Sequence, residues 1–277
     1  MLAICAQPVQ WRQGQQWRLA PMDLKLQAGQ IVTLVGSNGA GKTTLLEALG
    51  PLCRGQGDVH YFGRPRTQWC RQQLARQVTY MPTRSPLRFP LRVADIVQLG
   101  TLPLVGHPAV KQRWTQQQLI WHQLEPWHDR DYNSLSTGEQ QRVQLARVLL
   151  QLQQAADQGL LFLDEPTAHL DPQQQHQFWG LLQQHVQDTG LTVVLSCHDL
   201  NLAIQYSDQL IGLAQQRLLA MGTPTALINQ TFIKQLYGCE ADIGLHPRTG
   251  QRQVFTHWCA PASDTASPTR NCPTVVG

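Results

Sequence analysis

The sequence predicts an α/β fold, a largely parallel sheet wrapped by helices, with a small antiparallel β subdomain ahead of it and a helical segment inserted into it. Three observations predict it. The apolar run Ile31-Val32-Thr33-Leu34-Val35 passes through a glycine-rich loop, Gly36 to Thr44, into Leu45-Leu46-Glu47-Ala48-Leu49, which reads strand, loop, helix start. A second short apolar run, Leu160 to Leu163, ends in two acids, Asp164 and Glu165. Between them, residues 84–133 leave the β/α alternation for helical periodicity behind a proline-rich entry (Pro86, Pro90, Pro103, Pro108).

Bulk properties bound the rest. A chain of 277 residues with 42% hydrophobic content buries a substantial core. A net charge of +4, with 14% charged residues and no basic tract, argues against nucleic acid as a partner. Seven scattered cysteines form no C-x-x-C pair, so neither a zinc site nor a disulfide frame is expected and a reducing compartment fits. Residues 1–10 carry no secretory leader, and no stretch approaches the roughly twenty apolar residues of a membrane helix. If the protein works at a membrane, another chain crosses it.

In order, residues 1–30 read as short strands separated by a turn at Gln13-Gly14. In the loop Gly36-Ser37-Asn38-Gly39-Ala40-Gly41-Lys42-Thr43-Thr44, the glycines let backbone N–H groups close around phosphate oxygens, and the following helix aims its positive end there. Lys42 reaches the outer phosphates and the Thr43 hydroxyl takes one position on Mg²⁺. A hairpin strand (Val59 to Phe62), a short helix (Trp69 to Ala75) and a strand (Val78 to Met81) follow. Residues 84–133 carry helical runs at Val93 to Leu99 and Val110 to Leu124. Neighbouring residues on a strand face opposite sides, so Asp164 can hold the metal while Glu165 faces the attacking water as general base or positioner. Asp171-Pro172 reads as a helix start. Strand Thr192 to Leu195 delivers His198; a helix (Leu200 to Ile204), a strand (Gln209 to Leu213), and a turn at Ala220 to Pro224 into a helix near Ala226 complete the pattern. The remaining histidines, His122 and His185 among them, fit no ligand spacing and read as surface or packing residues. Residues 259–277 are rich in Ser, Thr, Pro and Ala and are expected to be disordered.

Two further stretches narrow the class. Leu135-Ser136-Thr137-Gly138-Glu139-Gln140-Gln141-Arg142 precedes the Asp164 strand, and Ser196-Cys197-His198-Asp199 follows it. In this order and spacing the four motifs resemble an ABC-transporter ATP-binding subunit, from the first strand to Tyr237, with Thr137 in place of the signature's first glycine. The resemblance implies a P-loop NTPase core over residues 1–83 and 134–258, a helical subdomain over 84–133, and the cofactors ATP and Mg²⁺. Ser136 and the Gly138 backbone, at a helix N-terminus beside Thr137 and Glu139, make a second phosphate cradle, which the resemblance assigns to ATP held by a partner copy. Two copies then form a head-to-tail pair with two nucleotides between them. Glu165, His198 and Lys42 are the catalytic residues so implied, Thr43 and Asp164 the Mg²⁺ ligands, and Asp171 the D-loop contact to the neighbour. Thr83 stands where the family places a glutamine, and Gln13 where it stacks an aromatic on adenine; Trp11 and Trp17 are near, and either can stack or both can pack the small sheet.

Phrases such as His198-Asp199-Leu200-Asn201-Leu202-Ala203 and Phe232-Ile233-Lys234-Gln235-Leu236-Tyr237-Gly238 are similar to importers of metal chelates (ferric siderophores, heme, cobalamin), and the compact layout most resembles the cobalamin branch. That implies a bacterial protein on the cytoplasmic face of the inner membrane, polytopic permease partners docked on the helical subdomain and the loop Ser85 to Leu91, and, indirectly, a periplasmic or surface substrate-binding protein. The rival readings are a soluble ABC ATPase, which would need a second cassette or basic arm, and an exporter subunit; a kinase or GTPase would have no use for Ser136.

Overall fold

The computed structural model describes residues 1–51, 56–83, 89–155 and 159–257. The expected tail (259–277) lies outside them, as do 85–88 of the expected docking loop.

The chain opens with β1 (Leu2–Gln13) and β2 (Gln16–Gln27), which pair antiparallel; β4 (Gln56–Tyr61) and β5 (Arg64–Pro65) extend this into a four-stranded sheet. These first strands are twelve residues each, not short, because shifts of register at Ala6/Val9 and beyond absorb the breaks in their alternation.

The second sheet has six strands in the order β10-β9-β3-β8-β7-β6. Its members are β3 (Ile31–Val35), β6 (Val78–Met81), β7 (Leu160–Leu163), β8 (Thr192–Ser196), β9 (Gln209–Ala214) and β10 (Arg217–Gly222). All neighbours are parallel except β9 and β10, which form a hairpin where the sequence reads as a turn. Both faces are covered, so β3, β7 and β8 are buried at every position. Alternate residues feed two cores: Ile31, Leu161, Leu163, Val193 and Leu195 face one, and Val32, Leu34, Leu160, Phe162 and Val194 the other. The first is closed by α6 (Pro172–Thr189), α7 (Leu200–Tyr206) and α9 (Gln230–Tyr237), the second by α1 (Lys42–Leu49) and the antiparallel sheet.

After α2 (Arg71–Gln77), helices α3 (Val93–Leu99) and α4 (Pro108–Trp121) pack on α5 (Thr137–Gln151) around a third cluster that includes Val93, Ile96, Leu119 and Tyr132. Helix α5 serves two masters: Val143, Ala146 and Leu150 enter this cluster, while Leu145, Val148 and Leu149 enter the first core. The turn near Ala226 is the short α8 (Pro224–Leu227). Beyond Gly238, the hairpin β11 (Glu240–Leu245) and β12 (Arg252–His257) is held by Asn201, whose amide receives Val254 N–H at 2.8 Å and donates to Val254 C=O at 3.1 Å.

The arrangement brings the exits of β3, β8 and β7 side by side at one sheet edge. In parallel sheets that edge is where ligands bind.

Candidate nucleotide site

Gly36, Gly39 and Gly41 adopt positive φ of 151°, 78° and 102°. Gly36 is irreplaceable on space as well, since a Cβ there would lie 2.3 Å from the Leu213 carbonyl oxygen. The Lys42 ammonium is buried at the foot of the loop and donates to the carbonyls of Gly36 (2.8 Å) and Ser37 (3.3 Å). Burial holds its pKa below the ordinary lysine range, and the carboxylates of Glu165 and Asp164 restore part of the loss.

Asp164 is a hub. Its carboxylate accepts from the hydroxyls of Thr43 (2.9 and 3.0 Å), Ser196 (2.8 Å) and Thr83 (3.2 Å). The Ser196 hydroxyl in turn accepts the Glu165 N–H at 2.8 Å, fixing the backbone where Glu165 takes a left-handed φ of 47°. His198 Nε2 then meets Glu165 Oε1 at 2.5 Å. Gln141 on α5 donates to the Thr83 carbonyl at 3.0 Å, linking this cluster to the helix that begins at Ser136.

A cleft of about 780 Å³ is lined by Asn38, Gly39, Gly41, Lys42, Thr43, Thr44 and Glu165, with Trp17 and Arg18 on one wall and Gln215, Gln216 and Arg217 on another. Asp164 and Thr83 line a neighbouring groove that Thr43 shares, so the two adjacent acids do open on different sides. Gly36, Ser37, Ala40 and His198 are not on the cleft wall; the first three shape the loop and the last reaches it through Glu165. Trp17 lines the cleft, with the Arg12 guanidinium 4.9 Å from its ring centre. Trp11 packs on the core of the antiparallel sheet, and Gln13 accepts from Arg18 at 2.7 Å.

The stretch from Ser136 to Glu139 is nowhere in this cleft; Gly138 lines a separate pocket with His122, Arg142 and Gln174. Ser136 caps α5 in a closed box: Glu139 Oε2 accepts the Ser136 N–H at 2.7 Å and its hydroxyl at 2.9 Å. Asp171 caps α6, accepting Gln174 N–H at 2.9 Å with Pro172 behind it. Sequence reasoning missed Ser196, Gln141 and the Gln215-Gln216 turn; only Ser196, at the end of the His198 strand, stood where a functional reading could have looked.

The sequence profile of the ABC transporter family matches residues 19–168, the span from β2 through the Asp164 exit. The chain belongs to the ABC transporter family. A hemin import ATP-binding protein of Vibrio cholerae serotype O1 is 39% identical to this ABC ATPase over 242 residues, covering 87% of this chain and 93% of the relative. One from Pseudomonas putida is 38% identical over 242 residues, 86% of this chain and 93% of the relative. Among solved structures, an inward-facing metal-chelate type ABC transporter superposes on the ABC ATPase with a TM-score of 0.77 at 21% identity, covering 93% of this chain and 98% of the other. The structure of cbiO1 from Clostridium perfringens, part of the ABC transporter complex cbiONQ, gives 0.72 at 20% identity over 84% of this chain and 92% of the other. At those identities the likeness is one of fold. The ABC ATPase binds ATP, and among its described residues no helix is long and apolar enough to cross a membrane.

Proposed function

We propose that this chain is the ATP-hydrolysing subunit of a bacterial importer of metal chelates and that its cargo is heme. Its relatives in Vibrio cholerae and Pseudomonas putida are hemin import proteins, which favours heme over cobalamin within the class the sequence suggests. The observation that carries the chemistry is the convergence of Thr43, Ser196 and Thr83 on the Asp164 carboxylate beside Glu165, with Thr43 shared between this groove and the glycine-loop cleft that Glu165 lines.

The loop's peptide N–H groups and the N-terminus of α1 receive the triphosphate, and Lys42 exchanges its loop carbonyls for the outer phosphate oxygens. Glu165 orients the attacking water and accepts its proton; His198, hydrogen-bonded to Oε1, aims that carboxylate. The Thr43 hydroxyl and the Asp164 carboxylate are hard oxygen donors that suit Mg²⁺, which when bound neutralises charge across the β- and γ-phosphates. Trp17 stacks on adenine.

Residues 136–139 lie outside the chain's own cleft and Gly138 lines a separate pocket, which supports a head-to-tail homodimer in which Ser136, Thr137, Gly138 and Glu139 of one copy close over ATP of the other. Asp171 lies at that seam as well as capping α6. Residues 84–133 act as the helical subdomain, with 1–83 and 134–258 as the core. A polytopic permease docks on the helical part, a role that the exposure of Phe89, Leu102 and Val105 supports; in this reading the protein works on the cytoplasmic face of the inner membrane and serves, indirectly, a substrate-binding protein.

Deleting the chain in its host tests the reading. Growth on hemin as sole iron source should fail and return on complementation, but not with Ser136→Arg. Undiminished growth on hemin overturns the cargo; ATP turnover by Ser136→Arg in the assembled complex overturns the shared site.

A further inference from the structure

The turn between β9 and β10 is built against its own residue preferences. Ala214 pairs with Arg217, leaving Gln215 and Gln216 as a two-residue connection, and both take positive φ, 48° and 59°. That geometry is the one Asn-Gly supplies cheaply; two glutamines adopt it at a cost, so something outside the hairpin holds them there.

What holds them is the glycine loop. Gln216 N–H donates to the Ala40 carbonyl at 3.1 Å, and its side-chain amide donates to the Gly39 carbonyl at 2.7 Å. On the other side, Ala20 N–H on β2 donates to the Gln216 carbonyl at 2.8 Å. The hairpin therefore backs the loop along its length, from Gly36 against Leu213 to Gly41 against Gln216 Cα. A trans peptide points its C=O and N–H in opposite directions. The Gln216 N–H on the Ala40 carbonyl therefore turns the Gly41 N–H away from the hairpin, and the Gln216 side chain on the Gly39 carbonyl turns the Ala40 N–H to the Ser37 C=O, 3.1 Å away.

We propose that Gln216 is a positioning residue for the nucleotide: its side-chain amide on the Gly39 carbonyl holds the Gly39-Ala40 peptide against the hairpin and so keeps the next peptide, whose Ala40 carbonyl the Gln216 N–H holds, in the orientation that receives the phosphates. This rests on the reading of the cleft as the triphosphate site. It predicts a role in affinity rather than chemistry, because saturating nucleotide can itself order the loop.

Two variants of the full chain separate this from mere structure. Gln216→Gly removes the amide while easing the backbone, so its melting temperature should hold or rise; Gln216→Met keeps the length without the donor. Both should weaken binding of ATP and ADP, read by titration calorimetry, about three- to tenfold, as loss of one neutral hydrogen bond implies. In the assembled complex KM should rise by a similar factor while kcat stays within about twofold of the parent. Parental nucleotide affinity in both variants, or an equal fall in kcat, overturns the proposal while leaving the cleft's assignment intact. Failure of the parent chain to bind either nucleotide overturns both.

Discussion

His198 Nε2 lies 2.5 Å from Glu165 Oε1, so the two residues expected to act on the attacking water are already bonded to each other. On the proposed reading, the pairing makes His198 an orienter of the carboxylate and puts the larger chemical burden on Glu165. Glu165→Gln should therefore keep ATP binding, trap the closed pair and cut the rate of phosphate release by about 10²–10⁴-fold, the usual range for a positioned acid or base. Phosphate release at the parental rate would remove Glu165 from its role.

Ser196 satisfies two groups with one hydroxyl, donating to Asp164 and accepting from Glu165 N–H. Ser196→Ala leaves a partly buried N–H unpaired at a residue with φ of 47°. The expected result is a loss of about 1–3 kcal/mol in urea unfolding, together with a fall in kcat as Glu165 loosens. A variant that keeps both stability and kcat would show that the backbone holds Glu165 without help.

Much of this architecture was legible beforehand, and the boundary of legibility is physical. Val78–Met81, Leu160–Leu163 and Val93–Leu99 carry local signals strong enough to place them to the residue. The first hairpin is longer than expected because bulges around Pro8 and Val9 scramble its period of two. Strand β10 and the terminal hairpin were missed because their faces are only partly buried, and the latter is tied to α7 by one asparagine. In the site, the loop, both acids and the serine cap announced themselves through fixed spacing. Ser196, Gln141 and Gln216 act across distances in the chain that no local pattern encodes.

The structure separates the two tryptophans that the sequence left equivalent. Trp17 borders the glycine-loop cleft and Trp11 packs on the antiparallel sheet. Trp17→Ala should raise KM for ATP roughly two- to tenfold, matching the loss of about 0.5–1.5 kcal/mol of aromatic contact. Trp11→Ala should lower the melting temperature and leave KM alone. The reverse pattern would move the adenine to the other tryptophan.

His122 and His185, which read as ordinary histidines, prove to be a buried pair where the end of α4 meets α6, with ring centres 6.1 Å apart and Trp121 against His185. No hydrogen bond reaches either nitrogen of His122, or Nε2 of His185, among the described residues. Burial, and then the Arg142 charge, pulls His122 down to about 4; burial, and then His122, pulls His185 down to about 3. Unfolded, each titrates near 6.5, so on acidification the unfolded chain takes up protons first. Stability from this pair is complete above about pH 6.5 and is lost as pH falls toward 4, at about 1.4 kcal/mol per pH unit for each histidine. Urea unfolding between pH 6.5 and 5, above the range of ordinary carboxylates, should show that slope. His122→Leu should make it shallower, because it removes one titrating group from a buried site. An equally steep slope in that variant would place the proton uptake elsewhere in the chain.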